Sequence, residues 1–491
     1  MYDVAIIGCG IIGAAAAYEL SRYHLSIAIL EKENDVACGA TKANSAVVHA
    51  GYDPEPGTLM AKLNVRGNIL IRQLCAKLDV PFQQCGSFVL AFSKEDASFL
   101  ETLLRRGRIN GVPGLAIIGG DELREAEPFV SGEAAAALYA PSAGIVSPWE
   151  LTLALAETAV RNGAELFLES AVEGIRATEN GFSLLTGKGA VEARYILNAS
   201  GAHADQIHDM IAEPAYRIIP DRGEYYLLDK NEAGRVRHVV FPCPDKHGKG
   251  TLIAPTVHGN VIVGPNNEPP RFPGDTATTA AGLAEVARRA RRLIPSVALH
   301  GSIRHFAGVR AASSEPDFII AEAKGTPGFI DLAGIKSPGL TAAPAVAEIA
   351  AALLEQSGLA LEPKAGFFCE RSRLRFAELP PGGKAAAVRQ DRAFGRVICR
   401  CETVTEGEIL AALRGPIPPR SVDGVKRRTG AGMGRCQGGF CGPRVLALLA
   451  REQGLSPLAI PQDAQGSVLL TGETKNADGT GQERTGGLAD G

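Results

Sequence analysis

The sequence predicts an α/β fold in which a parallel sheet carries an inserted second sheet and is followed by a small module. Three observations support this prediction. Up to about residue 361, β-rich runs such as DVAIIG, SIAILE and YILNASG alternate with helical patterns such as AAAAYELSRY, which is typical of a parallel α/β sheet. The stretches EYYLLDK and NVIVGPN indicate an antiparallel sheet inserted over a ligand. Two close pairs of cysteines mark the module near the end of the chain.

Length and composition limit the possible classes of protein. The chain has 491 residues, of which 45% are hydrophobic, and a net charge of −3, so we expect two or three domains and no binding of nucleic acid. No apolar run is long enough to span a membrane, and the N-terminus lacks the basic leader of a secretion signal. Ten cysteines, clustered only near the end, fit a reducing cytoplasm. We therefore expect a cytoplasmic protein whose membrane contact, if any, is peripheral or through a partner.

Changes in composition indicate the domain boundaries. We predict a catalytic body over residues 1–361, a linker over 362–395, a cysteine module over 396–460 and a disordered tail over 461–491. The linker contains the Pro/Gly-bearing stretch ELPPGGKAAAVRQDRAFG, and the tail ends in the polar stretch GETKNADGTGQERTGGLADG. Stretches of these compositions commonly separate or follow folded units.

The first strand and helix carry a nucleotide-binding motif. Gly8, Gly10 and Gly13 form G-x-G-x-x-G between a strand and a helix, and the next strand ends at Glu31. In a Rossmann-type domain these glycines permit a tight turn, close approach of a pyrophosphate and close packing of the helix, while the acid binds ribose hydroxyls. We expect the nucleotide to contact these residues and their neighbours Ile11, Ile12 and Lys32. The motif alone does not distinguish FAD from NAD.

Four stretches carry a family resemblance. CGATKANSAVVHAGY, YILNASGAHAD, HFAGVRAASSEPDF and GIKSPGLTAAPAVAE together resemble the FAD-dependent oxidoreductases of the D-amino-acid oxidase superfamily, over nearly all of the first 360 residues. The resemblance implies FAD as the cofactor and a Rossmann-type FAD-binding domain with an inserted antiparallel substrate domain. It assigns further FAD contacts to Thr41, Lys42, Asn44, Ser45, Val172, Gly201, Gly339, Leu340 and Thr341.

The cysteine module contains a C-x-C pair, Cys399 and Cys401, and a C-x-x-x-x-C pair, Cys436 and Cys441. Four thiolates suit either zinc or an iron–sulfur cluster. A C-x-C pair is atypical of zinc sites, and the module resembles the small, helical bacterioferritin-associated-ferredoxin-like [2Fe-2S] domain. We therefore expect a [2Fe-2S] cluster, and we expect nearby basic side chains to offset its charge: Lys426, Arg427, Arg428 and Arg435.

Together, the nucleotide-binding body and the cysteine module predict a dehydrogenase that transfers electrons. The oxidation of an alcohol or amine releases two electrons and a [2Fe-2S] cluster carries one, so a flavin is the expected converter between them. The order of the domains resembles the anaerobic, FAD-dependent glycerol-3-phosphate dehydrogenases. That resemblance implies oxidation of sn-glycerol 3-phosphate to dihydroxyacetone phosphate, with electrons passed to partner subunits and ultimately to quinone or another acceptor. The expected location is the cytoplasm or the inner face of the cell membrane.

The substrate residues are predicted from chemistry and from the resemblance. His49 is the expected general base near the flavin. Arg310 is expected to hold the anionic group of the substrate, because a guanidinium matches phosphate or carboxylate. Lys336, Arg222 and Tyr225 are also expected to face the substrate, together with Glu224.

Two other functions stay open. The glycerol-phosphate enzymes carry an arginine soon after the histidine, whereas HAGYDPEPGTLMAKLNVRGN is more similar to the L-2-hydroxyglutarate oxidases. The main alternative is thus an L-2-hydroxyacid dehydrogenase, followed by an enzyme acting on amines such as hydroxyproline. A flavin and iron–sulfur protein that only relays electrons or senses redox state is an alternative of another class.

Overall fold

A computed structural model of the chain describes residues 1–244, 250–272 and 274–474. The strands are β1 (Tyr2–Ile7), β2 (Ile27–Leu30), β3 (Val47–Val48), β4 (Phe82–Gln83), β5 (Ser87–Ala91), β6 (Ala116–Gly119), β7 (Ala136–Ala140), β8 (Gly144–Val146), β9 (Glu165–Phe167), β10 (Val172–Thr178), β11 (Gly181–Thr186), β12 (Gly189–Asn198), β13 (Ile218–Leu228), β14 (Val239–Pro242), β15 (Leu252–Pro255), β16 (Val261–Gly264), β17 (Ser302–Ser313), β18 (Ile319–Glu322), β19 (Phe329–Ala333), β20 (Val397–Cys399) and β21 (Val404–Thr405).

The α-helices are α1 (Ile11–Leu20), α2 (Leu59–Lys77), α3 (Lys94–Ile109), α4 (Gly120–Ala126), α5 (Pro148–Arg161), α6 (Ala204–His208), α7 (Ala280–Leu293), α8 (Gly339–Gln356), α9 (Pro381–Gln390), α10 (Glu406–Leu413), α11 (Val422–Thr429) and α12 (Gly442–Gln453). None of the helices in the described ranges is both long and apolar enough to cross a lipid bilayer.

The nucleotide-binding sheet has the order β10-β11-β12-β1-β2-β9, and β19 also pairs with β12. The strands β9, β2, β1, β12 and β19 run parallel, whereas β10 and β11 add an antiparallel hairpin. Helices α1, α5 and α8 share the apolar core of this layer. The predicted parallel α/β layer is therefore confirmed, and β1 and α1 meet at the predicted glycine turn.

The inserted sheet has the order β17-β13-β16-β15-β14-β5-β7-β6 and is antiparallel except between β14 and β5. Its longest pair joins β13 to β17. Strand β17 passes directly beneath the loop after β2, since a Cβ on Gly308 would lie 2.0 Å from the carbonyl oxygen of Ala43. This contact places the inserted sheet over the nucleotide-binding layer, as predicted.

The cysteine module comprises β20, β21, α10, α11 and α12 around its own apolar core. Thr405 caps α10 by accepting the N–H of Glu408, whose carboxylate in turn accepts the N–H of Thr405. The module is mainly helical, as expected.

The segment predicted as a linker lies against the body. It contains α9, and three of its arginines form ion pairs with acids of the body: Arg371 with Glu157, Arg373 with Glu150, and Arg375 with Asp79 and Glu150. Ion pairs therefore hold this Pro/Gly-bearing segment against the body. The composition of the segment does not predict this contact.

The segment predicted as a tail divides in two. Residues 461–468 turn back through a bridge between Pro461 and Val468, and Asp463 contacts both the body and the module. Residues 475–491, which carry most of the prediction of disorder, lie outside the described residues.

Candidate functional site

The glycine turn between β1 and α1 is built for close approach of another group. Gly8 has a φ of +95°, and a Cβ there would lie 2.7 Å from the carbonyl oxygen of Ala199. A Cβ on Gly13 would lie 1.9 Å from the carbonyl oxygen of Gly8. A larger residue at Gly13 would push the helix away from the turn, and one at Gly8 would push the turn away from the end of β12.

The N-terminus of α1 offers free donors. The N–H of Ile11 donates to Oγ1 of Thr41 at 3.0 Å. The first bond within the helix is made by the N–H of Ala14, so within the described structure the N–H groups of Ile12 and Gly13 have no acceptor. Such unpaired donors at the positive end of a helix suit a phosphate.

Glu31 follows β2 beside the same turn and is only 7% exposed. Its carboxylate accepts the N–H of Cys9 at 2.8 Å and the N–H of Glu33 at 2.9 Å. Burial raises the pKa of Glu31, although these two bonds oppose the shift. The remaining lone pairs leave the carboxylate able to accept ribose hydroxyls.

Three other residues predicted to contact FAD lie outside the main cavity described below. Val172 is the first residue of β10, and Gly201 begins a short 3-10 helix with a φ of +63°. Lys32 is exposed and pairs with Glu33. Their predicted contacts with FAD stay predictions.

A cavity of about 560 Å³ lies between the loop after β2, the inserted sheet and the start of α8. Among the predicted cofactor residues, it is lined by Ile11, Ile12, Thr41, Asn44, Ser45, Gly339 and Leu340. Thr341 lies just behind it and accepts the N–H of His49 at 2.9 Å through Oγ1. The structure thus gathers around one space residues that lie as far apart in sequence as Ile11 and Leu340.

Lys42 is the exception in this loop. It is not part of the cavity lining, and its ammonium forms an ion pair with Asp463 at 2.8 Å. Asp463 returns from beyond the module to bind this ammonium, and the predicted contact of Lys42 with FAD stays a prediction.

His49 lines the cavity and is held on several sides. Nε2 of His49 lies 3.2 Å from Oγ of Ser337, and its ring lies 5.9 Å from that of Phe241. Its main-chain carbonyl accepts from the side-chain amide of Asn68 at 3.0 Å. The main-chain anchors fix the backbone of His49 while its ring nitrogen faces a hydroxyl.

Cationic groups meet at one wall of the cavity. Arg310 lines it, and Nε of Arg310 donates to Asp221 at 2.7 Å. Lys336 also lines it and is half-buried; its main-chain N–H donates to the carbonyl of Gly334, whereas its ammonium has no hydrogen-bond or ion-pair partner among the described residues. Arg289 of α7 lines the same space beside Glu285. The wall can therefore hold an anion.

Tyr225 supports this wall. It lines the cavity, and its ring stacks on that of Phe306 with centroids 4.8 Å apart. Burial raises the pKa of Tyr225, and its hydroxyl is hydrogen-bonded with Arg310. The phenol therefore stays protonated and helps to fix the guanidinium.

Arg222 and Glu224 do not face the cavity, which corrects the expectation for both. Arg222 is 5% exposed and pairs with Asp275 at 2.7 Å and with Glu224 at 3.2 Å. The carboxylate of Glu224 also accepts from Thr279. They alternate with Tyr225 along β13 toward the opposite side of the sheet, where buried charge must be paired.

Sequence reasoning missed Arg289 and Asp221. Arg289 lies in the basic helix EVARRARRL, where no local pattern separates the cavity residue from its solvated neighbours. Asp221 precedes Arg222, and only the pairing of β13 with β17 places it opposite Arg310.

The four cysteines of the module form two pairs. Sγ of Cys401 lies 3.6 Å from Sγ of Cys436, and both residues are exposed. Cys399 and Cys441 are buried, and the interaction of their side chains lowers the pKa of the Cys399 thiol. No three His, Cys, Asp or Glu side chains in the described part of the chain converge on a single-ion site.

The basic residues of α11 face the body instead of the cysteines. Arg428 and Arg427 donate to the buried carboxylate of Asp35, and Arg427 also pairs with Asp463 at 2.6 Å. Lys426 pairs with Asp423 of its own helix, and Arg435 pairs with Asp229, which directly follows β13. The predicted set of charges around a cluster is therefore largely used to dock the module.

A family model described as FAD dependent oxidoreductase, abbreviated DAO, matches residues 3–353. The chain belongs to this family. A model described as BFD-like [2Fe-2S] binding domain matches residues 397–451. These matches confirm the predicted FAD-dependent enzyme and its two cofactors. The open donors of α1 and the glycine turn fit FAD, and the two thiol pairs fit a cluster of two irons.

Several relatives of the FAD-dependent body are known. The glycerol 3-phosphate dehydrogenase of Caloramator mitchellensis is 46% identical over 477 residues, which cover 97% of this chain and 99% of that protein. The glycerol 3-phosphate oxidase of Mycoplasma genitalium is 32% identical over 361 residues, covering 72% of this chain and 94% of that one. The L-2-hydroxyglutarate dehydrogenase of Escherichia coli is 35% identical over 272 residues, covering 54% of this chain and 64% of that protein.

Solved structures agree with the fold of this oxidoreductase. The dithionite-reduced L-alpha-glycerophosphate oxidase from Mycoplasma pneumoniae, with FAD bound, superimposes with a TM-score of 0.71 and 30% identity, covering 75% of this chain and 98% of that one.

Proposed function

We propose that this protein oxidises sn-glycerol 3-phosphate to dihydroxyacetone phosphate with FAD and exports the electrons through its [2Fe-2S] module. The observation that carries the proposal is the similarity over 97% of the chain to a glycerol 3-phosphate dehydrogenase, which includes the module. The cavity supports it, because cationic groups and a histidine line one space.

FAD would be held by the first layer of the fold. Gly8, Gly10 and Gly13 would let its pyrophosphate reach the N-H groups of Ile12 and Gly13, and Glu31 would accept from its ribose. The isoalloxazine ring would lie against Ser45 and the segment Gly339–Thr341. When bound, FAD supplies a two-electron acceptor for the hydrogen on the substrate carbon.

His49 would act as the general base. Its Nε2 faces the cavity within hydrogen-bond reach of Ser337, so a neutral imidazole can take the proton from the substrate hydroxyl. The bond from its main-chain N–H to Thr341 holds the residue at the start of α8. Positioning a base in this way is worth roughly 10² to 10⁴ in rate.

The phosphate of the substrate would bind at the cationic wall. Lys336 has no carboxylate partner in the described structure and supplies a full charge, while Arg310 supplies a guanidinium fixed by Asp221 and Tyr225. Arg289 lines the same wall and would add a third cation. Because Asp221 pairs with Arg310 and Glu285 pairs with Arg289, the charge that no described acid balances is that of Lys336, which would attract a phosphate dianion more strongly than a single carboxylate.

The thiol pairs would hold the cluster. A [2Fe-2S] cluster binds two thiolates on each iron, so Cys401 with Cys436 and Cys399 with Cys441 match its donor set better than they match one tetrahedral zinc. The electrons would then pass to partner subunits and quinone at the inner face of the membrane, which the protein would reach through those partners.

One panel of assays tests the substrate. Purified protein is mixed anaerobically with glycerol 3-phosphate, L-2-hydroxyglutarate, L-lactate or L-hydroxyproline, and bleaching of the flavin near 450 nm is followed. We expect rapid bleaching with glycerol 3-phosphate alone. Preferential bleaching with L-2-hydroxyglutarate would instead support the alternative suggested by the Escherichia coli relative.

A further inference from the structure

An exposed aromatic ring lies between two arginines beside the cysteines. Phe440, which directly precedes Cys441, is 46% exposed. The guanidinium carbon of Arg400 lies 4.5 Å from the centroid of this ring, and that of Arg444 lies 5.5 Å from it. We call Arg400, Phe440 and Arg444 the Phe440 surface.

This surface adjoins the exposed thiol pair. Arg400 stands between Cys399 and Cys401 in sequence, and Phe440 lies in the loop that carries Cys436 and Cys441. Cys401 and Cys436 are exposed, whereas the other pair is buried. The solvent-facing edge of the proposed cluster therefore meets the solvent next to these three side chains.

The charge of the Phe440 surface is not neutralised. Neither Arg400 nor Arg444 forms an ion pair with any residue that the structure describes. By contrast, Arg435 in the same loop pairs with Asp229, and Arg427 and Arg428 pair with Asp35. Two arginines on an exposed aromatic ring combine the residue types that are enriched at protein interfaces.

We propose that the Phe440 surface docks an acidic redox protein that takes electrons from the [2Fe-2S] module. The two arginines would attract carboxylates around the redox group of that protein, and Phe440 would be buried on contact. One electron leaves the reduced cluster and one enters the redox group of the partner, with no bond formed or broken. The proposal rests on the proposed function only in assigning electron export to the module.

Binding of a probe of known charge tests the surface without substrate. The probe is ferric succinylated cytochrome c, in which acidic groups replace lysine charges, and native basic cytochrome c is its counterpart with the same haem. Binding of each to the oxidised holoprotein is measured by biolayer interferometry at low and at high ionic strength. We expect only the succinylated form to bind, with an affinity that falls as salt rises.

Charge reversal then locates the site. Arg444→Glu is expected to weaken binding of the succinylated probe on the order of tenfold at low salt, and Phe440→Ser is expected to weaken it at every salt concentration. Arg105→Glu on the exposed face of α3 is the matched control and should bind like the wild type. Iron and labile sulfide should be unchanged in all three variants.

The same proteins give a second readout. After dithionite has supplied the three electrons that FAD and the cluster accept together, oxidation of the protein by the succinylated probe is followed by stopped flow, and Arg444→Glu should slow it in step with binding. The proposal is overturned if native cytochrome c binds better, if Arg444→Glu binds normally, or if the surface binds anionic phospholipid vesicles while ignoring the probe. Failure to oxidise glycerol 3-phosphate would overturn only the proposed function.

Discussion

Arg428 of the cysteine module donates to both carboxylate oxygens of Asp35 in the FAD-binding body, at 2.7 and 2.8 Å. The contact joins residues 393 positions apart, and both side chains are almost fully buried. Burial favours a raised pKa for Asp35, but the guanidiniums of Arg428 and Arg427 outweigh it and hold the pKa below its usual range. A buried charge cluster therefore docks the module onto the body.

Replacing Asp35 should loosen this docking. Asp35→Asn leaves the buried guanidinium of Arg428 without its anion and removes one of the two acids paired with Arg427, and losing one partner of a buried pair costs about 3–5 kcal/mol. We expect faster proteolysis in the segment 396–460 and a lower midpoint of thermal unfolding. Asp121→Asn, at an exposed acid of α4, is the control. Because the pKa of Asp35 is lowered in the folded state, its contribution should be complete above the unfolded pKa of about 3.9 and be lost as the pH falls below it.

A cation at position 31 should abolish FAD binding. Glu31→Arg replaces the buried acceptor next to the glycine turn with a donor that ribose hydroxyls cannot use in the same way. We expect the flavin-to-protein ratio of the purified protein to fall by about tenfold. Glu192→Arg, on an exposed position of β12, should keep the full ratio. A full ratio in Glu31→Arg would show that the nucleotide lies elsewhere.

Arg310→Lys should impair substrate binding more than cofactor binding. Lysine cannot keep the bond to Asp221 and present a fork to phosphate at once, so KM for glycerol 3-phosphate should rise about tenfold or more. The flavin content should not change. Steady-state dye reduction measures the effect, with the exposed Arg217→Lys as control, and unchanged kinetics would remove Arg310 from the substrate site.

His49→Ala should lower the rate of substrate oxidation more than it weakens substrate binding. The proton leaves the hydroxyl only on the way to the transition state, so the rate of flavin bleaching at saturating substrate should fall about 10² to 10⁴-fold while the dissociation constant changes little. The main-chain bond to Thr341 survives this substitution, which limits structural effects. A wild-type bleaching rate would assign His49 a structural role alone.

Cys436→Ser should remove the cluster and spare the flavin reaction. A hydroxyl is a harder and far less acidic ligand than a thiolate, so iron and labile sulfide should be lost. Substrate should still bleach the flavin, and a small dye should still be reduced, while transfer to a protein acceptor fails. Cys85→Ser, in the body, is the control. Zinc in the wild-type protein purified without oxygen would contradict the prediction.

The sequence by itself determined the features that local spacing encodes. The period of apolar residues predicted the parallel layer, the three glycines and Glu31 predicted the nucleotide turn, and the spacing of the cysteines predicted an all-thiolate site. Each of these three predictions depends mainly on residues that are close together in the chain. Over such short distances, backbone geometry limits the structures that a sequence motif can adopt.

Only the tertiary structure decided which charged side chains face the cavity and which are used to hold the parts together. Arg222 and Arg310 look alike in sequence, yet strand alternation on β13 buries the first and the pairing with β17 turns the second toward the cavity. Likewise, the ammonium of Lys42 and the guanidinium of Arg427 both form ion pairs with Asp463. Long-range pairing selects the partner of each charge, because a buried ion needs a counterion that folding brings close, and spacing along the chain does not specify which one.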